Sequence, residues 1–235
     1  MSRVVTASTI GVYGIGNVGA LREDMPLSLG YTHAIPTFKK IFELLAWHLT
    51  AVTDVTIVNA RISGIWGPGG HLPDPFFATS MLVHAAAHHR EPDLSGFVMP
   101  SHAEDALDLL YAKDAARALA LLELTEELHQ MTYNVASGRA TSNAEVIAAL
   151  RRVQPDFRFE LPSAGDRPRT WLDITRLRED TGFEARYDTA AGNPSPVGKD
   201  TNHPSLPEVR HHVRQGPGVE VLPATARCRR AHRAI

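Results

Sequence analysis

The chain has 235 residues, 43% of them hydrophobic, and its formal net charge is −2 at neutral pH. This length allows a sizeable hydrophobic core, and the small net charge argues against a general nucleic-acid-binding surface. The single cysteine, Cys228, excludes an internal disulfide framework and a cysteine zinc site. Because no apolar run of about 18 residues and no signal-peptide pattern occur, we expect a cytoplasmic protein without a membrane partner.

The first stretch, residues 3–19, joins a β-type apolar run to a glycine-rich sequence. It contains a G-x-G-x-x-G pattern, formed by Gly14, Gly16 and Gly19. In a phosphate-binding loop of this kind, a helix that starts directly after the last glycine holds the pyrophosphate. Here Pro26 would end such a helix within two turns, and the acidic pair before it would repel a phosphate. We therefore interpret the glycines as a loop beside an active-site hydroxyl.

Hydrophobic periodicity predicts alternating strands and helices along residues 4–181. The predicted strands cover residues 4–8, 55–60, 107–111, 131–135 and 157–161, and the predicted helices cover residues 37–50, 75–89, 115–124, 143–152 and 174–181. Asp114 is expected to cap the third helix, and Ser142 with Glu145 forms a capping box for the fourth. The order strand, loop, helix, strand is typical of a doubly wound parallel α/β sheet.

The last part of the chain differs in composition from the rest. Residues 192–235 hold six prolines and seven lysines or arginines against three acidic residues, with no sustained apolar period. We expect residues 191–235 to be a proline-rich, basic and disordered tail. A solvated tail is favoured over a nucleic-acid role for its RCRRAHR segment.

Five segments, in order over residues 3–189, resemble the extended short-chain dehydrogenase/reductases, the NAD(P)-dependent epimerase and dehydratase group. They read ASTIGVYG (with EDMP and a lysine-bearing helix after it), ARISGIWGPGG, LYAKDAARALALL, YNVASG and GDRPRTWLDITRLREDTGF. The resemblance implies an incomplete doubly wound, Rossmann-like parallel sheet with a small C-terminal substrate-binding region. Residues 1–70 would then be the C-terminal part of the NAD(P)-binding domain, and residues 71–190 the substrate-binding region.

The same resemblance assigns roles to three residues. Thr9 lies at the family's catalytic Ser/Thr position, four residues before Tyr13, and would hold the substrate oxygen beside the cofactor. Aligning FKKIFELL on the family's helix places the lysine that binds the nicotinamide ribose at Lys39 and the helix glutamate at Glu43. The region of Ser63 would face the nicotinamide. The implied cofactor is NAD or NADP, and the implied partner is a small hydroxy or keto compound related to sugars.

This sequence departs from the family pattern at the proton-transfer position. The family's tyrosine would stand four residues before Lys39, where this chain has Ile35. Isoleucine cannot transfer a proton, and general acid–base help is worth about 10²–10⁴ in rate. Tyr13, Tyr31 and His33 are the alternative proton donors.

Two further departures concern the cofactor and the substrate. If residues 4–8 form the family's fourth strand, the units with the dinucleotide fingerprint are missing, so we expect weak or absent NAD(P) binding and an open strand edge. Where sugar-nucleotide epimerases place a phosphate-binding arginine, this chain has Ser163.

Two functions therefore stay open. The first is an NAD(P)-dependent oxidoreductase or epimerase that acts on a small molecule, with a homodimer as its candidate assembly. The second is a catalytically silent binding or regulatory relative, or a truncated remnant. Three histidines in the predicted second helix, His84, His88 and His89, are interpreted as a surface face rather than a metal site.

Overall fold

The computed structural model describes residues 2–30, 33–67, 78–95 and 101–187. Its strands are β1 (Ser2–Thr9), β2 (Gly19–Leu21), β3 (Val55–Ile62), β4 (Gly64–Trp66), β5 (Ala106–Tyr111), β6 (Thr132–Val135), β7 (Ala140–Ser142) and β8 (Thr170–Leu172). Its helices are α1 (Ala34–Val52), α2 (Ala78–Ala87), α3 (Ala112–Leu124), α4 (Asn143–Val153) and α5 (Thr175–Thr181). The expected tail of residues 191–235 lies outside the described residues.

A parallel sheet with the strand order β1-β3-β6 forms the centre of the fold. β1 and β3 are in register from Ser2 opposite Val55 to Thr9 opposite Ile62. Helix α1 contacts β1 and β3, and α3 contacts all three strands of this sheet. The predicted α/β class with a parallel, Rossmann-like sheet is therefore confirmed.

The two faces of this sheet differ in polarity, because alternate residues of a strand point to opposite sides. On β3, Val58, Ala60 and Ile62 join the hydrophobic core that contains Ala118 and Leu122 of α3. The intervening β3 residues carry polar groups toward α1, where the guanidinium of Arg61 contacts that helix. The sheet therefore has an apolar α3 face and a polar α1 face.

Most predicted elements are present, with small changes at their ends. Helix α1 extends the predicted 37–50 helix in both directions and contains Pro36 in its first turn, where proline is tolerated. The capping box of Ser142 and Glu145 is formed at the start of α4. Helix α5 ends at Gly182, whose φ of 65° places it in the left-handed region that favours glycine.

Three predictions about secondary structure are wrong. Asp114 does not cap α3: the helix starts at Ala112, and the buried Asp114 carboxylate instead accepts the backbone N–H groups of Arg186 and Tyr187. Residues 157–161 form no strand, because no described strand lies beside them and the Arg151 guanidinium binds their carbonyls. Of the three histidines, only His84 lies within α2; the other two follow its end.

The glycine-rich stretch forms a turn that leads into a strand. Residues 10–13 form a short 3-10 helix, and β2 starts at Gly19 and pairs in parallel with β8. Gly14, Gly16 and Gly19 all have positive φ values of 81–85°, a conformation that favours glycine. Because a strand and not a helix follows Gly19, the glycines do not form a phosphate-binding helix N-terminus.

Candidate functional site

A buried ion pair joins the middle of α1 to the end of β3. Arg61 Nη2 lies 2.7 Å from Glu43 Oε2, and both side chains are only 1% exposed. Arg61 Nε also donates to both Glu43 oxygens at 3.1 Å, and Ser8 Oγ donates to Glu43 Oε1 at 2.5 Å. Burial lowers the pKa of Arg61, but hydrogen bonds and charge from Glu43 outweigh it and raise that pKa overall. Arg61 therefore keeps its charge, and its hydrogen bonds to Glu43 fix α1 against β3.

Tyr13 extends this network toward β6. Its hydroxyl donates to Asn134 Oδ1 at 2.8 Å and accepts from Arg61 Nη1 at 3.0 Å. The Arg61 guanidinium carbon also lies 4.9 Å from the centre of the Tyr13 ring. The Asn134 backbone N–H donates to Glu23 Oε1 at 2.8 Å. Three of the five segments that carry the family resemblance thus meet in one buried polar network.

Lys39 lies on the side of α1 that faces β1. Its Nζ donates to the backbone oxygen of Ala7 at 2.5 Å. An ammonium group has three donors, so two remain for a ligand. Lys39 also lines a largely apolar cavity of about 420 Å³ between α1 and β1, together with Thr6, Ser8, Phe42 and Leu49 among others.

Thr9 occupies the last position of β1, two residues beyond the carbonyl that Lys39 binds. Its Oγ1 accepts the backbone N–H of Gly11 at 3.2 Å, which caps the 3-10 helix. Its methyl group and Pro36 of α1 both lie against Gly11. Thr9 and Lys39 are therefore held near the same strand end and helix, although only Lys39 lines the cavity.

Ser63 follows β3 and is 8% exposed. Its backbone N–H donates to the Val135 oxygen at 3.1 Å. Its Oγ is buried and has no hydrogen-bond partner among the described residues. An unsatisfied buried hydroxyl is costly unless something binds it, so this atom fits the predicted role of contacting a polar group of a cofactor.

Ile35 occupies the first turn of α1, four residues before Lys39, and is 56% exposed. The spacing of the family's tyrosine and lysine is thus present, but without the hydroxyl. Tyr13 is a poor substitute, because burial raises the pKa of its hydroxyl to about 12. His33 is the N-cap residue of α1, and Tyr31 lies outside the described residues.

Sequence reasoning missed the partners that hold these residues in place. It named Glu43 only by alignment and assigned no role to Ser8, Arg61 or Asn134. The sequence did contain a signal for such a partner. A charged residue inside an otherwise apolar strand is expected to be buried, and a buried charge must be paired. Arg61 in the strand VTIVNARI meets that description.

The family model of the NAD dependent epimerase/dehydratase family matches residues 1–136. No curated protein matches the chain. Among the residues that the structure describes, no helix is long and apolar enough to cross a membrane.

Several solved structures share the fold. MoeE5, in complex with UDP-glucuronic acid and NAD, is 24% identical with a TM-score of 0.65, over 81% of this chain and 62% of that one. The UDP-glucose 4-epimerase of Thermotoga maritima is 18% identical with a TM-score of 0.67, over 81% and 60%. The L-threonine dehydrogenase of Phytophthora infestans is 20% identical with a TM-score of 0.64, over 81% and 62%.

These neighbours establish the fold, and the present chain spans about 60% of their length. The family model matches more than half of the 235 residues, including β1, α1, β3 and β6, where the polar network lies. This chain belongs to the NAD-dependent epimerase/dehydratase family.

Proposed function

We propose that this chain forms the nicotinamide-facing and substrate-facing part of an NAD(P)-dependent oxidoreductase or epimerase that acts on a small hydroxy or keto compound. The observation that carries the proposal is the position of Lys39. Its ammonium group binds the Ala7 oxygen, two residues before the carboxyl end of β1, and its helix is anchored by the buried Glu43–Arg61 pair. Ligands of open parallel sheets bind at this end of the strands.

Each residue has a defined task in this proposal. The two remaining donors of Lys39 would hold the ribose hydroxyls of the cofactor, and the Thr9 hydroxyl would donate to the substrate oxygen. The unpartnered Ser63 Oγ would bind a polar group of the nicotinamide. The cofactor, when bound, supplies the acceptor or donor of a hydride.

The substrate in this proposal lacks a nucleoside diphosphate. At the position of the family's phosphate-binding arginine, Ser163 Oγ donates to Glu104 Oε1 at 2.6 Å, and the Ala164 N–H donates to Glu104 Oε2 at 2.9 Å. These hydrogen bonds lower the pKa of Glu104, so a carboxylate charge persists there. A negative charge at this place would repel a diphosphate and favours an uncharged substrate.

A cofactor titration tests the proposal. Purified protein is titrated with NADH and with NADPH, and nicotinamide fluorescence is recorded for wild type, Lys39→Ala and Lys113→Ala. Losing a charge-assisted hydrogen bond of about 1.5–3 kcal/mol should weaken binding by roughly tenfold or more in Lys39→Ala. Lys113, an exposed lysine on α3, is the control and should leave binding unchanged. Absence of wild-type binding even at millimolar cofactor, or equal effects of both substitutions, would contradict the proposal.

The second candidate is a silent cofactor-binding relative, and Ile35 is the observation that favours it. This exposed, apolar side chain occupies the proton-transfer position four residues before Lys39. The Ile35→Tyr variant restores a hydroxyl at that position, and Ile35→Phe adds the same ring without it.

Turnover of NADH with a panel of small ketones separates the two candidates. If Ile35 silences the chain, Ile35→Tyr should exceed Ile35→Phe by about 10²–10⁴ in rate, the usual contribution of general acid catalysis. If wild type already turns over at the rate of Ile35→Tyr, the silent candidate is excluded and another residue supplies the proton.

A further inference from the structure

Another cavity, of about 130 Å³, lies between the residues around β7 and the segment that follows α5. We call it the arginine niche; its polar lining residues are Ser137, Arg139, Thr141, Arg178, Glu184 and Tyr187. Among the described residues, it shares no lining residue with the cavity at Lys39. Pockets for drug-sized ligands measure about 300–1,000 Å³, so we expect a ligand of only a few carbon atoms here.

One wall of the arginine niche is held by a buried carboxylate of β5. Asp108 is 0% exposed, and its Oδ1 accepts the Ser137 N–H at 2.9 Å and the Ser137 hydroxyl at 2.7 Å. Its Oδ2 accepts the Gly138 N–H at 3.2 Å. These hydrogen bonds fix the turn that leads directly into Arg139.

A buried carboxylate of α3 holds another wall. Asp114 is 0% exposed, and its Oδ2 accepts the N–H groups of Arg186 and Tyr187 at 2.8 Å and 2.9 Å. The centre of the Tyr187 ring also lies 4.6 Å from that of Tyr111. Hydrogen bonds to a charged group are among the strong ones in proteins. Both walls are therefore in place before any ligand binds, which reduces the entropy that binding costs.

The charges of the arginine niche favour a ligand with one negative charge. Its lining contains the guanidinium groups of Arg139 and Arg178 but only one carboxylate, that of Glu184. Arg178 Nη2 donates to Glu184 Oε2 at 3.0 Å. Arg139 Nη1 lies 3.6 Å from Glu145 Oε1, which is longer than a hydrogen bond. Because a guanidinium has five N–H donors, Arg139 can bind a further carboxylate beside Glu145.

We propose that the arginine niche binds a small hydroxy acid, at a site separate from that of the proposed cofactor and substrate. Arg139 binds the ligand carboxylate through two parallel N–H groups. The pair of Arg178 and Glu184 supplies both donors and acceptors, which a ligand hydroxyl requires because it donates and accepts at once. A ligand with two negative charges would be repelled by Glu184, and a cation by the two arginines.

Isothermal titration calorimetry with glycerate tests the proposal on the full chain without cofactor. Glycerol, which lacks the carboxylate, and acetate, which lacks the hydroxyls, are the comparison ligands. We expect glycerate to bind at millimolar concentrations and both comparison ligands to bind more weakly, glycerol by roughly tenfold or more because it loses the charge-assisted hydrogen bonds. Since no cofactor is present, a failure of the NADH titration would leave this test unaffected.

Substitutions locate the bound glycerate. Arg139→Met should weaken its binding by roughly tenfold or more, and Arg139→Lys, which keeps the charge but not the two parallel N–H groups, should have an intermediate affinity. Arg158→Met removes an exposed arginine outside the arginine niche and is the matched control, with unchanged binding expected. Lys39→Ala should also leave glycerate binding unchanged, because Lys39 belongs to the other cavity.

Four outcomes would overturn the proposal. They are a wild type that does not bind glycerate at millimolar concentrations, comparison ligands that bind as tightly as glycerate, equal effects of Arg139→Met and Arg158→Met, and loss of glycerate binding in Lys39→Ala. Circular dichroism checks that each variant is folded. If Arg139→Met does not fold, Arg139→Lys takes its place, and wild-type affinity in that variant would equally overturn the proposal.

Discussion

Helices α1 and α3 cover opposite faces of the same sheet, yet they bury opposite kinds of side chain. Helix α3 packs Ala115, Ala118 and Leu122 into the hydrophobic core. Helix α1 buries Lys40 and Glu43 and leaves its large apolar side chains exposed. Hydrophobic burial therefore holds the α3 face together, whereas paired charges hold the α1 face.

The α3 face therefore contributes mainly to stability, whereas the α1 face carries most of the candidate site. The α3 face contains the apolar core. The α1 face contains Lys39 and Ser63, together with the buried pair that anchors α1 to the sheet, and Thr9 lies at the end of β1.

The largest expected effect comes from breaking the buried pair on the α1 face. Arg61→Met leaves the Glu43 carboxylate buried without its partner, which should lower the free energy of unfolding by about 3–5 kcal/mol. Urea unfolding followed by circular dichroism measures this change. Arg22→Met, which removes the exposed pair with Asp24, is the control and should leave stability within error. A small loss in Arg61→Met would mean that water reaches Glu43.

One substitution made on both helices sharpens the comparison. Leu122→Ala on α3 removes a side chain with 0% exposure and should cost about 2–5 kcal/mol of unfolding free energy. Leu45→Ala on α1, where 48% of the residue is exposed, should cost well under half as much. Urea unfolding measures both. Equal losses would show that α1 is as fully packed as α3.

Alkaline pH should weaken the α1 face through Tyr13. Burial raises the pKa of its hydroxyl from 10.0 to about 12, so the folded protein holds this proton to higher pH than the unfolded chain. Its contribution is fully present below pH 10 and is lost as the pH rises toward 12, by on the order of 2 kcal/mol. Urea unfolding across this range should show a steeper decline for wild type than for Tyr13→Phe. Parallel declines would contradict the assignment to Tyr13.

The smallest expected effect is a gain at the start of α1. His33, the N-cap residue, makes no side-chain capping bond, and Pro36 at the third helical position has no N–H to offer. His33→Asp can still accept the N–H of Ile35 and places a negative charge at the helix N-terminus. We expect about 0.5 kcal/mol of added stability in urea unfolding. A loss would show that the His33 side chain already stabilises this turn.

Local signals in the sequence predicted most of the regular structure. Apolar periodicity indicated α1, the β-branched run indicated β3, and the pair Ser142 and Glu145 indicated the start of α4. Each of these features depends on residues only a few positions apart, so it can be recognised from the sequence alone. The three-residue strands β2, β4, β7 and β8 escaped prediction, because so short a strand exists only through the neighbour it pairs with.

The sequence by itself also determined the family and the spacing of Ile35 and Lys39, since both depend on the order of residues alone. Only the tertiary structure decided that Arg61 pairs with Glu43 and that Tyr13 is too deeply buried to donate its proton readily. It also decided that Asp114 accepts hydrogen bonds from distant backbone N–H groups instead of capping a helix. The reason is physical. Burial and partnership of a charged or polar group depend on residues far away in the chain, which only folding brings together.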